Sequence, residues 1–468
     1  MPSNIIGAKY GSDVFPSGKG DYLIRRIIVS LLRLAMRIYF RRVEVVGVEH
    51  VPLNSPLIFV LNHPNALVDP AVLLCRAPRT VAFLAKAPLF RMPVLGYFVR
   101  AMDSLPVYRH QDQGEDVSKN QETFIAARRL LARGVTIGIC PEGVSHDEPR
   151  LRPIKTGAAR IALGAVSTGE VVDLKIVPAG LYYTSKTKFR SSALLYFGLP
   201  INVTAVTLEA DGNPPRDAVR ELSNKVETAL RSVILDAEHE EALQTITRAE
   251  RIFSSEADGA TESLADELKI QQRFIRAYTV LRQHAPERLR KLEVRMSRFE
   301  EELSLAGVDP DDFSAPKSTL SVFKHLIRMI VTFLLLLGPA IVGVVVHYPA
   351  YRLGGYLATR ISKHYEDVIS TVKIISAMLL FPLTWLVAMV VCWRFLGWKW
   401  ALASALIIPI SGFLAIRFFE AIDTFLGGFR ALVFFLMRRK FFVRLLAERR
   451  AIRNEILALG EETAILSQ

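Results

Sequence analysis

Cysteine is scarce in this 468-residue chain: Cys75, Cys140 and Cys392 stand far apart, with no second ligand at metal-binding spacing. That excludes a disulfide scaffold and a zinc module, and it fits a reducing compartment. No Gly-x-Ser-x-Gly elbow is present, so nothing marks a serine hydrolase of that kind. The first twenty residues are polar, with Gly, Ser and Pro and no apolar core. They do not read as a cleavable leader, and the folded region is expected on the cytoplasmic side. Acidic residues are in the minority, 46 against 59 Lys and Arg, leaving a net charge of +13. Such a surplus favours an anionic partner. With no RNA-binding signature and no basic helix bearing stacking aromatics, the expectation is an anionic membrane surface and no nucleic acid.

Apolar residues, by contrast, make up 51% of the chain, and the mean hydropathy of +0.27 is high for a purely soluble protein. Three stretches are candidates for crossing a membrane: His325 to His347, interrupted by Gly338-Pro339; Ile374 to Trp393; and Trp400 to Ile416, with Pro409 and Gly412 inside it. Trp385, Trp393, Trp398 and Trp400 supply interfacial anchors, and Arg438, Arg439, Lys440, Arg444, Arg449 and Arg450 form a basic cluster expected on the cytoplasmic side. If both ends face the cytoplasm the number of crossings is even. Two full spans are then expected, with one of the three stretches re-entrant or merged.

In chain order, residues 1–42 read as a tail and an amphipathic helix at the membrane interface, with Arg26, Arg33 and Arg37 on one face. Residues 43–203 alternate short apolar strands with helices. The strands are Val43 to Val46, Pro56 to Leu61, Thr80 to Ala85, Val135 to Ile139, Leu174 to Tyr183 and Ala193 to Phe197. This alternation predicts an α/β fold, a mainly parallel sheet flanked by helices, with functional residues on the loops leaving the strands. Residues 204–320 are dense in Glu, Arg, Lys and Gln at helical spacing and read as a helical stalk or insert bent near Pro286. Residues 321–452 carry the apolar helices and basic cluster, and 453–468 a short tail.

Chemistry concentrates at the strand ends. The apolar run Leu57 to Leu61 is cut off by Asn62-His63-Pro64, with a carboxylate, Asp69, six residues beyond the histidine. An imidazole at a sheet edge with an acid partner is the layout of a general base held in one tautomer. A second loop, CPEGVSHDEPRLRPIK, follows the strand ending at Ile139 and brings Glu142, Gly143, Arg152 and Lys155 together with Ser145, His146 and Arg150. Between the two lies GYFVRAMDSLPVYR, with Gly96, Arg100 and Arg109, and after them Val177-Pro178-Ala179-Gly180, placed at a strand end.

In their order and spacing these four segments, spanning about Pro56 to Ile201, resemble the motifs of the glycerolipid acyltransferase family, membrane enzymes that move a fatty acyl chain from a thioester to glycerol 3-phosphate or a lysophospholipid. The resemblance implies that His63 takes the proton from the acceptor hydroxyl and that Asp69 orients the ring. It implies Arg109 on the acceptor phosphate, Glu142 and Gly143 positioning the acceptor, Lys155 near the phosphate, and room for a thin acyl or pantetheine chain at Val177 to Gly180. Two departures stand out. Five residues separate His63 from Asp69 where the family has four, and Ser145 stands where the family often has a phosphate-binding arginine, as in a branch including the fungal glycerol-3-phosphate acyltransferases. Arg150, Arg152 and Lys155 are the candidates to replace that charge, and His146 is a rival base. No cofactor is implied beyond the co-substrate, acyl-CoA or acyl-ACP, so acyl carrier protein is a conceivable partner. Two further classes stay open: a thioesterase or lipase using Cys140 or Ser145, and a non-catalytic lipid-binding scaffold.

Overall fold

The computed structural model describes residues 19–112, 114–237, 240–254, 263–308, 319–363 and 365–466. The polar N-terminus and the end of the expected helical insert at 309–318 lie outside them. The chain divides into two compact units: residues 1–236 with 364–371, and residues 237–363 with 372–468.

The first unit holds one eight-stranded sheet. Its strands are β1 (Arg42–Val46), β2 (Leu57–Leu61), β3 (Val81–Lys86), β4 (Leu105–Val107), β5 (Thr136–Ile139), β6 (Lys175–Tyr183), β7 (Ser192–Phe197) and β8 (Ile201–Asn202), in the order β1-β7-β6-β2-β5-β3-β4 with β8 on β6. Every residue of β2 and β5 is buried, as continuous apolar runs require when both faces are covered. The helices of this unit are α1 (Lys19–Tyr39), α2 (Val68–Arg76), α3 (Ala87–Arg91), α4 (Pro93–Ala101), α5 (Asn120–Ala132), α6 (Gly157–Ser167) and α7 (Arg216–Arg231). Ala158, Ala159, Ile161 and Ala162 of α6 and Val219, Leu222 and Val226 of α7 pack in one core with Ile58, Val60 and Ile137 of the sheet. On α1, Ile28 and Met36 are buried while Leu23, Ile27, Leu31 and Leu34 are exposed, an apolar stripe four and three residues apart.

The expected α/β architecture on a mainly parallel sheet does not describe this chain. Across the described residues the protein is largely helical, and the sheet is mixed: β7 and β8 both run antiparallel to β6. The reason is connection length. Parallel pairing needs a crossover of a dozen residues or more, and the link from Tyr183 to Ser192 is too short for one; β8 then continues β7 in the same direction along β6. Among the described residues the remainder of the chain adds helices only.

Gly180, inside β6, is where a side chain would meet the Val233 carbonyl just beyond α7. Gly180→Ala is therefore expected to destabilise the first unit by about 1–3 kcal/mol, read as a lower midpoint of thermal inactivation in detergent. An unchanged midpoint would show that the Val233 segment moves aside.

The second unit contains α8 (Glu240–Ser254), α9 (Leu264–His284), α10 (Pro286–Leu305), α11 (Thr319–Ser362), most of α12 (Glu366–Leu396), α13 (Trp398–Met437) and α14 (Arg439–Leu466). Helices α8, α9, α10 and α14 share an apolar core containing Ile252, Tyr278, Met296, Phe299 and Leu445. Arg449, almost fully buried, donates to the Ile252 carbonyl at 2.9 Å and so satisfies an orphan acceptor near the end of α8.

Where two full crossings are expected, three helices are long and apolar enough to cross a membrane: Ile330–Ser362, Glu366–Leu396 and Trp398–Ile422. The protein is a membrane protein with multiple such helices. The helices run on through Pro339 and Pro409, an interruption that membrane helices tolerate.

Candidate active site

Strand β2 delivers His63 to the carboxyl edge of the sheet. Asn62 fixes the exit: its amide donates to the Leu181 carbonyl at 2.9 Å and accepts from the Leu181 N–H at 2.7 Å, extending the pairing with β6 by one side chain. The chain then turns back through Ala66, whose φ of 39° is left-handed, and enters α2 with Asp69 in the first turn. This turn absorbs the additional residue between histidine and aspartate.

Asp69 is fully buried, and its Oδ2 lies 2.9 Å from His63 Nδ1. The same oxygen accepts from the Asn65 N–H at 2.7 Å, and Oδ1 accepts from the Tyr183 hydroxyl at 2.7 Å. Three donors thus surround the carboxylate and fix its orientation. Burial, and then the adjacent carboxylate, push the Tyr183 phenol well above its usual pKa, so it remains a donor. Nδ1 of His63 carries the proton toward Asp69, which leaves Nε2 as the acceptor. Burial disfavours a charged ring, but the Cys140 sulfur and the Asp69 carboxylate outweigh it and raise the His63 pKa well above 6.5.

The loop after β5 is braced from within. Glu142, 3% exposed, accepts from the His63 N–H at 2.8 Å through Oε1 and from the Arg152 N–H at 2.9 Å through Oε2, and it also bonds His146 Nε2. Each oxygen is committed within the protein. The structure therefore places Glu142 as a strut between the base loop and the basic loop, where the resemblance implies a contact with the acceptor. His146 is buried against Glu142 and donates its backbone N–H to the His63 carbonyl at 3.2 Å.

Gly143 has φ +75°, which favours glycine, and a Cβ there would stand 2.6 Å from Lys155 Nζ and push the lysine from its place. Arg109 donates to the Gly143 carbonyl at 2.6 Å and holds both oxygens of Asp112, at 2.8 and 2.7 Å. The Arg109 hydrogen bonds are the main cause of a depressed Asp112 pKa; burial opposes them, while Lys86 and Lys155 add to them. Arg109 and Lys155 thus both approach Gly143, the residue after the strut that holds His63, and Lys86 and Lys155 are near enough to Asp112 to help lower its pKa.

Other candidates are occupied elsewhere. The Arg152 side chain pairs with Glu148 at 2.6 Å, Arg150 pairs with Glu148 as well, and Arg100 donates to the Phe90 carbonyl at 2.7 Å. Val177 to Gly180 lie inside β6, not at its end. The space over Gly180 is filled by Val233, and Pro178 lies against Gly198, so no open slot is found there. Sequence reasoning missed Tyr183, the Asn62 bridge and the part played by Lys86. An apolar strand ending in KAPLF signals Lys86 only by its position at a strand end. Among the described residues no cluster of three His, Cys, Asp or Glu is placed to hold a metal ion.

Residues 42–182 match the family model described as Acyltransferase, and residues 245–464 match that of the Glycerol-3-phosphate acyltransferase 2 C-terminal domain. The chain belongs to the glycerolipid acyltransferase family. Its similarity to Glycerol-3-phosphate O-acyltransferase 2 of Saccharomyces cerevisiae is 40% identity over 29% of this chain and 18% of that protein. With Glycerol-3-phosphate O-acyltransferase 1 of the same yeast it is 26% over 50% and 42%. An uncharacterized acyltransferase of Schizosaccharomyces pombe is 23% identical over 84% of this chain and 74% of its own. The matched stretches thus span less than half of the two S. cerevisiae proteins. This acyltransferase-family chain is matched on both sides of its unit boundary, in the sheet that carries His63 and in the helices that follow.

Proposed function

We propose that the protein is a membrane-bound O-acyltransferase acting in glycerolipid synthesis. It moves a fatty acyl chain from a coenzyme A or acyl-carrier-protein thioester to a hydroxyl of glycerol 3-phosphate or lysophosphatidate. The carrying observation is the His63–Asp69 pair at the end of β2, tied through Glu142 and Gly143 to the Lys86, Arg109 and Lys155 cations. An alcohol is a weak nucleophile at neutral pH. Nε2 of His63 takes its proton as the oxygen attacks the thioester carbonyl, and the imidazolium formed is stabilised by Asp69. Collapse of the tetrahedral adduct expels the thiolate, which receives that proton from His63, so the base is regenerated. Arg109 and Lys155 hold the acceptor phosphate, which displaces Asp112 from the guanidinium; a planar fork accepts a phosphate as readily as a carboxylate.

The test offers membranes containing the full chain a labelled acyl thioester with phosphorylated and unphosphorylated acceptors, and identifies the products. Acylated phosphorylated glycerol is expected, and its absence from the whole panel would overturn the proposal. Lys155→Ala is expected to raise the acceptor KM about tenfold or more while the donor KM stays, the loss of one charge-assisted contact of roughly 1.5–3 kcal/mol. The reverse pattern would place the phosphate elsewhere.

One observation favours a second reading, thioester hydrolysis: the Cys140 sulfur lies close enough to His63 to raise its pKa. An acyl-cysteine route predicts acceptor-independent release of fatty acid, lost in Cys140→Ser. Full transfer by that variant excludes it.

A further inference from the structure

Residues 366–371 belong to the compact unit of the sheet, although they open α12 and lie far beyond that sheet in sequence. Three are buried polar residues: Asp367, Ser370 and Thr371, at 5, 0 and 7% exposure. Each is bonded to a different loop of the site. The Ser145 hydroxyl donates to the Asp367 carboxylate, and the Glu366 N–H donates to Asp147 Oδ2 at 3.2 Å. Ser370 donates to the Lys186 carbonyl and lies 2.7 Å from the Tyr39 hydroxyl. Thr371 Oγ1 accepts from the Leu67 N–H at 3.2 Å.

The loops so joined are the ones that carry the partners of His63. Leu67 precedes Asp69 by two residues. Ser145 follows Glu142 by three and adjoins His146, which bonds Glu142. The Lys186 carbonyl held by Ser370 also accepts from the Asn65 amide at 3.3 Å, and the Asn65 N–H is itself on Asp69. If the segment only needed to pack, apolar side chains would hold it at lower cost, because a buried carboxylate bonded by the Ser145 hydroxyl loses much of its hydration. Hydrogen bonds, being directional, set the relative placement of the loops where apolar contact would not.

We infer that Asp367 and Thr371 are positioning residues for acyl transfer: from the first two turns of α12 they fix the loop bearing Glu142 and the turn that leads into Asp69 at the start of α2, in the arrangement that aims His63. Asp147 agrees with so close an approach. Burial first, and then the Asp367 carboxylate, raise its pKa against the opposing pull of Lys186 and the Glu366 N–H. Ser145 thereby has a task different from that of the arginine often found at its position.

This inference rests on the acyl-transfer reading, so the experiment carries His63→Ala as a control. Full-length Asp367→Ala, Asp367→Asn, Thr371→Val and Thr371→Ser are assayed in membranes, with kcat and both KM values corrected for the folded fraction from a thermal melt. Asp367→Ala and Thr371→Val are expected to lower kcat by about 10- to 100-fold, the scale of a misplaced catalytic group, with each KM changed less than about twofold. Asp367→Asn and Thr371→Ser keep an acceptor oxygen and are expected to restore most of kcat. If Asp367→Ala does not fold, Ser145→Ala removes the same hydrogen bond from the other side. Unchanged kcat in the Ala and Val variants, or losses equal in the conservative pair, overturns the inference. Full transfer by His63→Ala overturns instead the reading beneath it.

Discussion

His63→Ala is expected to lower the rate of acyl transfer by about 10²- to 10⁴-fold, the usual contribution of a positioned general base, with membrane insertion intact. The expectation follows from where the ring sits. It is beyond the last residue of a fully buried strand, with Nδ1 committed to a buried carboxylate 2.9 Å away and Nε2 left for substrate. Because His63 is joined to Glu142 through its backbone N–H and to His146 through its carbonyl, removing the imidazole leaves the loop braced. The measurement is transfer of a labelled acyl chain by equal amounts of inserted protein. Activity within a few-fold of the parent would end the proposed mechanism, and His146, buried against Glu142, offers no replacement base.

Asp69→Asn is expected to be as damaging and to leave a distinct signature in pH. The acting base is neutral His63, and its pKa is raised well above 6.5. The parent should therefore lose activity as pH falls through a value above 6.5, and gain it as pH rises through the same value. Removing the Asp69 charge takes away part of what opposes burial, so the acid limb of the variant should move to lower pH while its maximal rate falls by roughly 10³- to 10⁴-fold, as when an orienting carboxylate is lost from a base. Stability runs the other way. Protonated His63 with Asp69 contributes stability that is fully present below the unfolded value near 6.5 and is lost as pH rises through the folded pKa. The enzyme therefore works best where that contribution has gone. A pH profile taken on both proteins checks this, and an acid limb at the same pH in each would remove Asp69 as the partner that sets the base.

The two predictions differ in how far ahead of the structure they were legible. His63 announces itself, because a run such as LIFVL can be buried on both faces and the Asn-His-Pro after it cannot extend the sheet. Asp69 is less certain from sequence, since the number of residues that a loop can absorb depends on its dihedrals. The left-handed Ala66 decides that it reaches. Glu142 is legible as a site residue but not in its orientation. A Glu-Gly dipeptide beside a basic loop suggests a contact with substrate, and the packed structure turns the carboxylate inward onto two backbone N–H groups.

The fold class shows the same division. Apolar runs locate six of the eight strands, leaving out the short β4 and β8, but period and burial say nothing about direction, and the short link from β6 to β7 imposes the antiparallel pairing that β8 continues. The strand-end slot expected at Val177 to Gly180 fails for a related reason. Small residues in a strand signal a close neighbour, and here the neighbour is the Val233 backbone, not a ligand.

By itself the sequence determined the elements and their chemistry: where strands stop, which histidine follows, where cations cluster, and which helices are apolar enough for a membrane. These are properties of a few adjacent residues, set by local sterics and hydropathy. Only the tertiary structure decided which groups meet: Tyr183 on Asp69, Asn62 on Leu181, Lys86 beside Asp112, and Asp367 on Ser145, 222 positions apart. Such contacts arise from the closing of the sheet and the return of the chain, and a directional bond between distant residues leaves no periodic trace in either stretch.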